Sequence, residues 1–258
     1  MQHPNLVVTF LGTGTSSGVP MIACGCEVCT STNPKDARLR SSIMVQSQHT
    51  TLVVDTTPDF RQQMLTHAVT NVDAILFTHP HKDHIAGLDD VKAFNYFNKK
   101  AIDVYANTFT EEALRREFQY IFAEQKYPGI PDITLHEIAN EPFLIGDIWV
   151  TPIMVWHLHM PVLGFRFGAF TYITDANDIP APEQAKIVGT SVLVLNALRH
   201  TPHISHFTLQ QAIDMAKHLQ IPTAYFTHIS HQLGMHQSVS NGLPPGCNLA
   251  YDGLVIQI

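Results

Sequence analysis

Thr78-His79-Pro80-His81-Lys82-Asp83-His84 places four metal-ligating side chains within six residues. The segment follows the apolar run Asp73–Phe77 and precedes a helix-like run that begins at Ile85. In an extended turn alternate residues share a side, so His79 and His81 point together while Asp83 and His84 turn toward a neighbouring position. That spacing serves one cation with two histidines and a second with an Asp–His pair. Two such ions about 3.5–4 Å apart activate water and clamp both oxygens of a phosphoester displacement. A second cluster lies in Ala23-Cys24-Gly25-Cys26-Glu27-Val28-Cys29. A Cys24–Cys26 disulfide would be strained, whereas three thiolates from one loop make three corners of a tetrahedral zinc site. The fourth corner must come from elsewhere, and Cys247 and His231 are the two candidates.

Further ligand types stand at the ends of strand-like runs. Val155-Trp156-His157 closes the run Ile148–Trp156, Tyr172-Ile173-Thr174-Asp175 closes Phe165–Thr174, and Tyr225-Phe226-Thr227-His228 closes Thr223–Thr227. One sheet edge could gather all three with the His79–His84 turn. Strands are also predicted at Asn5–Leu11, Ser42–Ser47, Thr51–Asp55, Ile102–Ala106 and Ser191–Ala197, rich in Val, Ile, Phe, Tyr and Thr. The clearest helix is Thr208–Leu219, with Leu209, Ala212, Ile213, Ala216 and Leu219 on one face. Thr208 and Gln211 have capping-box spacing at its start. Other helices are expected at Pro58–His67, Ile85–Asn98 and Thr110–Glu124. Strands come in runs as well as in alternation with helices, which points to two sheets covered by helices. No repeat or linker divides residues 1–258, so one domain is expected, with an irregular insertion or lid at Tyr127–Leu144.

Charged residues make up only 14% of the 258-residue chain and apolar ones 45%, which excludes a disordered protein. A formal charge of −7 weighs against a nucleic-acid partner. The 16 histidines exceed the 15 lysines and arginines. Met1-Gln2-His3-Pro4 shows no basic stretch of a secretion signal, and no run of about 18 apolar residues offers a membrane span. A soluble, cytoplasmic protein is the expectation.

The His-x-His-x-Asp-His pattern resembles the metallo-β-lactamase superfamily. The resemblance implies an α/β sandwich of αββα type, with two mixed sheets flanked by helices. It also implies a division of ligands: His79, His81 and His157 on one ion, Asp83, His84 and His228 on the other, and Asp175 bridging. His157 is preferred over His159 because the resemblance places the ligand several residues before a Gly-Phe pair, here Gly164-Phe165.

The combination is narrower still. Phe10-Leu11-Gly12-Thr13-Gly14-Thr15-Ser16-Ser17-Gly18-Val19-Pro20, the cysteine loop, the His-x-His-x-Asp-His turn and Thr227-His228-Ile229-Ser230-His231-Gln232 together look like the PhnP-type phosphodiesterases. That likeness implies a structural Zn²⁺ held by Cys24, Cys26, Cys29 and His231, and leaves Cys247 a free thiol. It implies hydrolysis of a small anionic phosphodiester, such as a cyclic phosphate of phosphoribose, with water activated by two divalent ions, Zn²⁺ or Mn²⁺. His206, just before the capped helix, matches the family's catalytic histidine; His200 and His203 are its neighbours. Asp83 is a ligand that could also relay a proton, and Arg199 and Lys82 could help neutralise phosphate. The glycine-rich opening lacks the spacing of a nucleotide-binding loop and reads as a tight turn. RNase Z-like nucleases share the opening and the ligands but usually add a basic RNA-gripping arm, which this sequence lacks. The pyrroloquinoline quinone biosynthesis protein of this fold carries a similar cysteine loop with an incomplete ligand set. Another hydrolase of the fold, or a non-catalytic metal-binding or regulatory protein, are the remaining alternatives. A homodimer is compatible with the family, though no sequence signal demands one.

Overall fold

The computed structural model describes residues 4–125 and 127–258; the Met1–His3 opening lies outside them. The strands are β1 (Val7–Gly12), β2 (Ser42–Gln46), β3 (Thr51–Val54), β4 (Ala74–Leu76), β5 (Ile102–Ala106), β6 (Ile133–Glu137), β7 (Phe143–Ile145), β8 (Ile148–His157), β9 (Met160–Phe167), β10 (Phe170–Ile173), β11 (Val192–Asn196), β12 (Thr223–Thr227), β13 (Cys247–Leu249) and β14 (Val255–Gln257). Among the described residues they form two seven-stranded sheets, ordered β14-β1-β2-β3-β4-β5-β6 and β13-β12-β11-β10-β9-β8-β7. Both sheets are mixed. β14, β1, β2 and β3 pair antiparallel and β3 to β6 parallel. In the second sheet β7 to β10 pair antiparallel and β10 to β13 parallel.

Alternation along each strand explains the continuous apolar runs. Val45, Leu52, Val54 and Leu76 face Phe165, Phe170, Tyr172 and Val194 in the core between the sheets. Their neighbours Met44, Val53 and Ile75 point the other way, toward helices α1 (Phe60–Thr66), α3 (Lys92–Asn98) and α4 (Thr108–Glu117). On the second sheet Leu193 and Leu195 point outward to α5 (Ala181–Ile187) and α6 (Leu209–His218). A strand buried on both faces shows no polar alternation. The expected αββα sandwich is therefore present. α6 starts where predicted, with Thr208 accepting from the Gln211 N–H and Gln211 bonding back.

Three expectations are corrected. Phe165–Thr174 is two strands, because Gly168 at φ 60° turns the chain between β9 and β10. Ile85–Asn98 is broken: α2 (Lys82–Ile85) ends early, and a 3₁₀ turn over Leu88–Val91 precedes α3. Tyr127–Leu144 is not an irregular lid. It carries β6, at the edge of the first sheet, and leads into β7, at the edge of the second. Short edge strands with half their side chains exposed give little apolar signal, which is why the sequence pattern missed them. No helix among the described residues is long and apolar enough to cross a membrane.

Candidate metal centres

The ends of both sheets deliver ligand types to one place. β4 leads into His79, β8 ends on His157, and β10 and β12 lead into Asp175 and His228. Asp175 and His228 both have positive φ, at 54° and 55°. Residues with Cβ atoms hold that conformation at a cost, and such strain clusters at functional sites.

Most of the rings are held by a hydrogen bond on one nitrogen, which leaves the other facing the cluster. His157 Nδ1 donates to the Ser205 carbonyl at 2.7 Å. His84 Nδ1 donates to Asp55 Oδ2 at 2.7 Å. His79 Nδ1 lies 2.9 Å from Thr78 Oγ1, and His228 Nε2 lies 3.2 Å from Thr15 Oγ1. The inward atoms crowd together. His79 Nε2 is 3.1 Å from His81 Nδ1. His84 Nε2 is 3.2 Å from Asp83 Oδ2 and 3.3 Å from Asp175 Oδ2, and His228 Nδ1 is 3.1 Å from that same Asp175 oxygen. The His157 ring centre is 5.7 Å from that of His79 and 5.1 Å from that of His81. Asp83, His84, Asp175 and His228 present ligand atoms all within 4.8 Å of one another.

Electrostatics follow from this crowding. Burial opposes charge on His84, but Asp83, Asp175 and Asp55 outweigh it and hold the ring well above the usual histidine range. Burial likewise opposes ionised Asp175, yet His228, His84 and His79 hold it well below the usual carboxylate range. His79, His81 and His228 are pushed down, by burial first. His84 Nε2 and His228 Nδ1 are buried and face carboxylate oxygens without the alignment of a hydrogen bond. Ionised carboxylates and imidazoles that burial keeps neutral, around a His84 charged only by its acidic neighbours, fit a site where a cation would take that proton's place.

His206 joins the same volume. It forms a ligand-distance group with His157 and Asp175, and its Nδ1 lies 3.8 Å from Asp175 Oδ1 without a hydrogen-bond partner. Burial pushes its pKa down to about 3. Its ring centre is 5.1 Å from that of His203. The two cations read from sequence as phosphate partners are committed elsewhere. Lys82 pairs with Glu117. Arg199 donates to the Thr201 and Pro202 carbonyls and to Gln232.

The cysteine loop meets the other end of the segment that carries His228. His231 Nδ1 lies 3.2, 3.4 and 3.5 Å from the sulfurs of Cys24, Cys26 and Cys29. A tetrahedral zinc with bonds of about 2.3 Å to sulfur and about 2.0 Å to nitrogen sets S···N separations of about 3.5 Å. Cys247 lies in β13 against the core outside the second sheet, so of the two candidates for the fourth corner it is His231 that stands at the loop. The Cys29 N–H and His231 bring the Cys26 thiol down to about 6, while burial pushes Cys29 up to about 11.

Asp55 is the functional residue that sequence reasoning missed. It is fully buried, has φ 67°, and accepts from the Thr78 N–H and Oγ1 at 2.8 Å each while holding His84. Its signal was available: Thr51-Leu52-Val53-Val54-Asp55 ends a strand on Asp, as Tyr172-Ile173-Thr174-Asp175 does. The glycine-rich opening proves structural at Gly12, where a Cβ would stand 2.0 Å from the Arg40 carbonyl oxygen.

A two-sheet sandwich with a His-x-His-x-Asp-His turn at its strand ends defines the metallo-β-lactamase fold, whose sites take divalent metals. Comparison with known proteins narrows the class. Residues 50–229 match the family model described as the beta-lactamase superfamily domain. A crystal structure of a new diphosphatase from the PhnP family superposes with a TM-score of 0.93 at 40% identity, covering 100% of this chain and 98% of that one. Zinc-bound PqqB from Methylobacterium extorquens superposes with a TM-score of 0.79 at 19% identity, covering 98% of this chain and 100% of that one, a likeness of fold. An octanoyltransferase of Porphyromonas gingivalis is 37% identical over 247 residues, 95% of this chain; the chain spans 50% of that relative's length. The chain belongs to the beta-lactamase superfamily and, within it, to the PhnP family.

Proposed function

We propose that the chain is a metal-dependent hydrolase of small phosphodiesters, a cyclic phosphate of phosphoribose among them. The observation that carries this reading is the convergence of inward imidazole nitrogens on Asp83 and Asp175 at the ends of both sheets. In this reading His79, His81 and His157 hold one divalent ion, Asp83, His84 and His228 hold the other, and Asp175 serves both. Cys24, Cys26, Cys29 and His231 hold a separate structural zinc. Histidine–carboxylate sets accept Zn²⁺ or Mn²⁺. Bound there, the ions would supply Lewis acidity and lower the pKa of water toward neutrality.

The chain's own groups do the rest. Ser205 and Asp55 fix the His157 and His84 rings, so the donor set needs no rearrangement as charge develops. Hydrolysis joins a water oxygen to phosphorus and breaks the ester P–O bond opposite it. His206, neutral because buried, would donate an N–H hydrogen bond to a nonbridging or leaving oxygen. Burial opposes ionised Asp83, but His84 beside it wins and keeps the carboxylate ready to accept the attacking water's hydrogen bond. The net charge of −7 favours a small anion over a nucleic acid as substrate. Octanoyl transfer, named for a protein of which this chain spans half, is not carried over.

The purified protein should hydrolyse bis-p-nitrophenyl phosphate in Mn²⁺ or Zn²⁺. His206→Ala should lower kcat and leave the metal content intact. Unchanged turnover in both His79→Ala and His228→Ala would refute the reading.

A further inference from the structure

The β8–β9 hairpin turns in two residues, Leu158 and His159, between the paired His157 and Met160. Leu158 has φ 58° and His159 does not share the positive φ. A two-residue hairpin loop with positive φ at its first central position ordinarily takes glycine there. Leucine in that conformation costs roughly 1–2 kcal/mol. Other positive-φ residues such as Lys99 and Gln220 follow helix C-termini, where the conformation is an ordinary ending. Leu158 has no such reason, and its side chain is 45% exposed, so core packing does not explain it either. Its N–H donates to Asn177 Oδ1 at 2.6 Å, which clamps the strained tip.

The tip faces a cavity of about 450 Å³ that opens beside the His81 and His157 rings. Phe109, Leu158, Met160 and Pro161 give that cavity an apolar wall, His159 and Ser205 also line it, and among the described residues no lysine or arginine does. Phe109, in the first turn of α4, is 47% exposed. The cavity is continuous with the metal-binding side chains, so a substrate whose phosphate meets them would extend its ester group along this wall.

We infer that Leu158, backed by Phe109, Met160 and Pro161, forms a substrate subsite for an uncharged, apolar ester group on the scissile phosphate. The inference rests on the phosphodiesterase reading and, within it, ranks aryl and alkyl diesters above the more highly charged cyclic phosphate of phosphoribose. Along this wall a second ionised phosphate would meet no lysine or arginine among the described residues, whereas an aryl or alkyl group would exchange water for apolar contact.

The test uses three p-nitrophenyl phosphodiesters with a constant leaving group, whose second ester is methyl, phenyl or n-octyl. The wild-type holoenzyme should prefer phenyl or octyl over methyl by about tenfold or more in kcat/KM. The phenyl and octyl arms decide whether the group is flat or aliphatic. Leu158→Gly and Phe109→Ala should each shrink that preference to within about threefold, through KM rather than kcat. Leu158→Gly should melt near wild type, because relief of backbone strain offsets the freedom glycine gives the unfolded chain. Equal use of the three esters by wild type, or a preference that survives in both variants, overturns the subsite alone. Hydrolysis of none of them overturns the phosphodiesterase reading, and the subsite with it.

Discussion

His228 and His231 lie three residues apart, yet they serve two clusters built in opposite ways. The His–Asp cluster draws on the ends of β4, β8, β10 and β12, strands whose core-facing residues are fully buried. Thr78, Asp55, Ser205 and Thr15 each engage one of its rings. The cysteine loop has no strand or helix of its own. Its backbone makes turn bonds such as Cys24 N–H to the Met21 carbonyl, Ile22 is 89% exposed, and the three thiols are half-buried. The first cluster is a frame that exists before an ion arrives. The second, held by turn bonds and one N–H from Met21 to the Cys29 sulfur, would gain most of its order from a shared cation at His231. In the first, therefore, metal would supply chemistry, and in the second it would supply structure.

The largest test of that contrast is Asp175→Ala. Asp175 faces His84, His228 and His206, so its loss should lower hydrolysis on the order of 10³-fold, the upper end for one electrostatic group. Circular dichroism and the melting temperature should show the fold intact. Collapse of the fold would mean that the first cluster is structural too. Next comes Cys26→Ser. Metal analysis should find about one zinc fewer per chain, and denaturation should show a loss of about 3 kcal/mol, the top of the ordinary range for one substitution. Full zinc content and unaltered stability would remove the structural role. Asp55→Asn sharpens the contrast from the other side. It keeps the shape but weakens the hold on His84, and should cost about 10–100-fold in activity or active-site metal affinity.

The smallest effect separates both clusters from the frame behind the cysteine loop. There buried Arg38 donates to Thr13 Oγ1 and the Ala250 carbonyl and lies 3.1 Å from His236 Nδ1. Burial, then Arg38 and Lys35, lowers the His236 pKa from 6.5 to about 4. The unfolded chain therefore binds a proton that the folded chain refuses. The contribution is present above pH 6.5 and is lost as pH falls toward about 4. Melting curves of His236→Gln should show a shallower loss of stability across that window than wild type. Parallel curves would assign the acid sensitivity elsewhere.

Both clusters were legible wherever ligand types crowd in sequence or follow a strongly apolar strand. Thr78–His84 and Cys24–Cys29 are local patterns, and His157, Asp175 and His228 each end a strand-like apolar run. His231 was one of two candidates by residue type and only the resemblance chose it, because nothing local ties it to a loop 202 residues away. Asp55 escaped because its partners, Thr78 and His84, are distant in sequence and its role is to orient rather than to ligate. β6 escaped because an edge strand with an exposed face carries weak periodicity. Leu158 escaped for a different reason: its significance lies in a backbone angle, which residue type does not reveal when the residue is not glycine.

The central claim, two metal centres with separate tasks, is tested most directly by metal content and bis-p-nitrophenyl phosphate hydrolysis on one sample dialysed against chelator. Two ions per chain should leave together with activity, one zinc should stay with the folded protein, and Mn²⁺ or Zn²⁺ should restore turnover. Undiminished hydrolysis after the exchangeable ions are gone, or unfolding that begins with their loss, would contradict it.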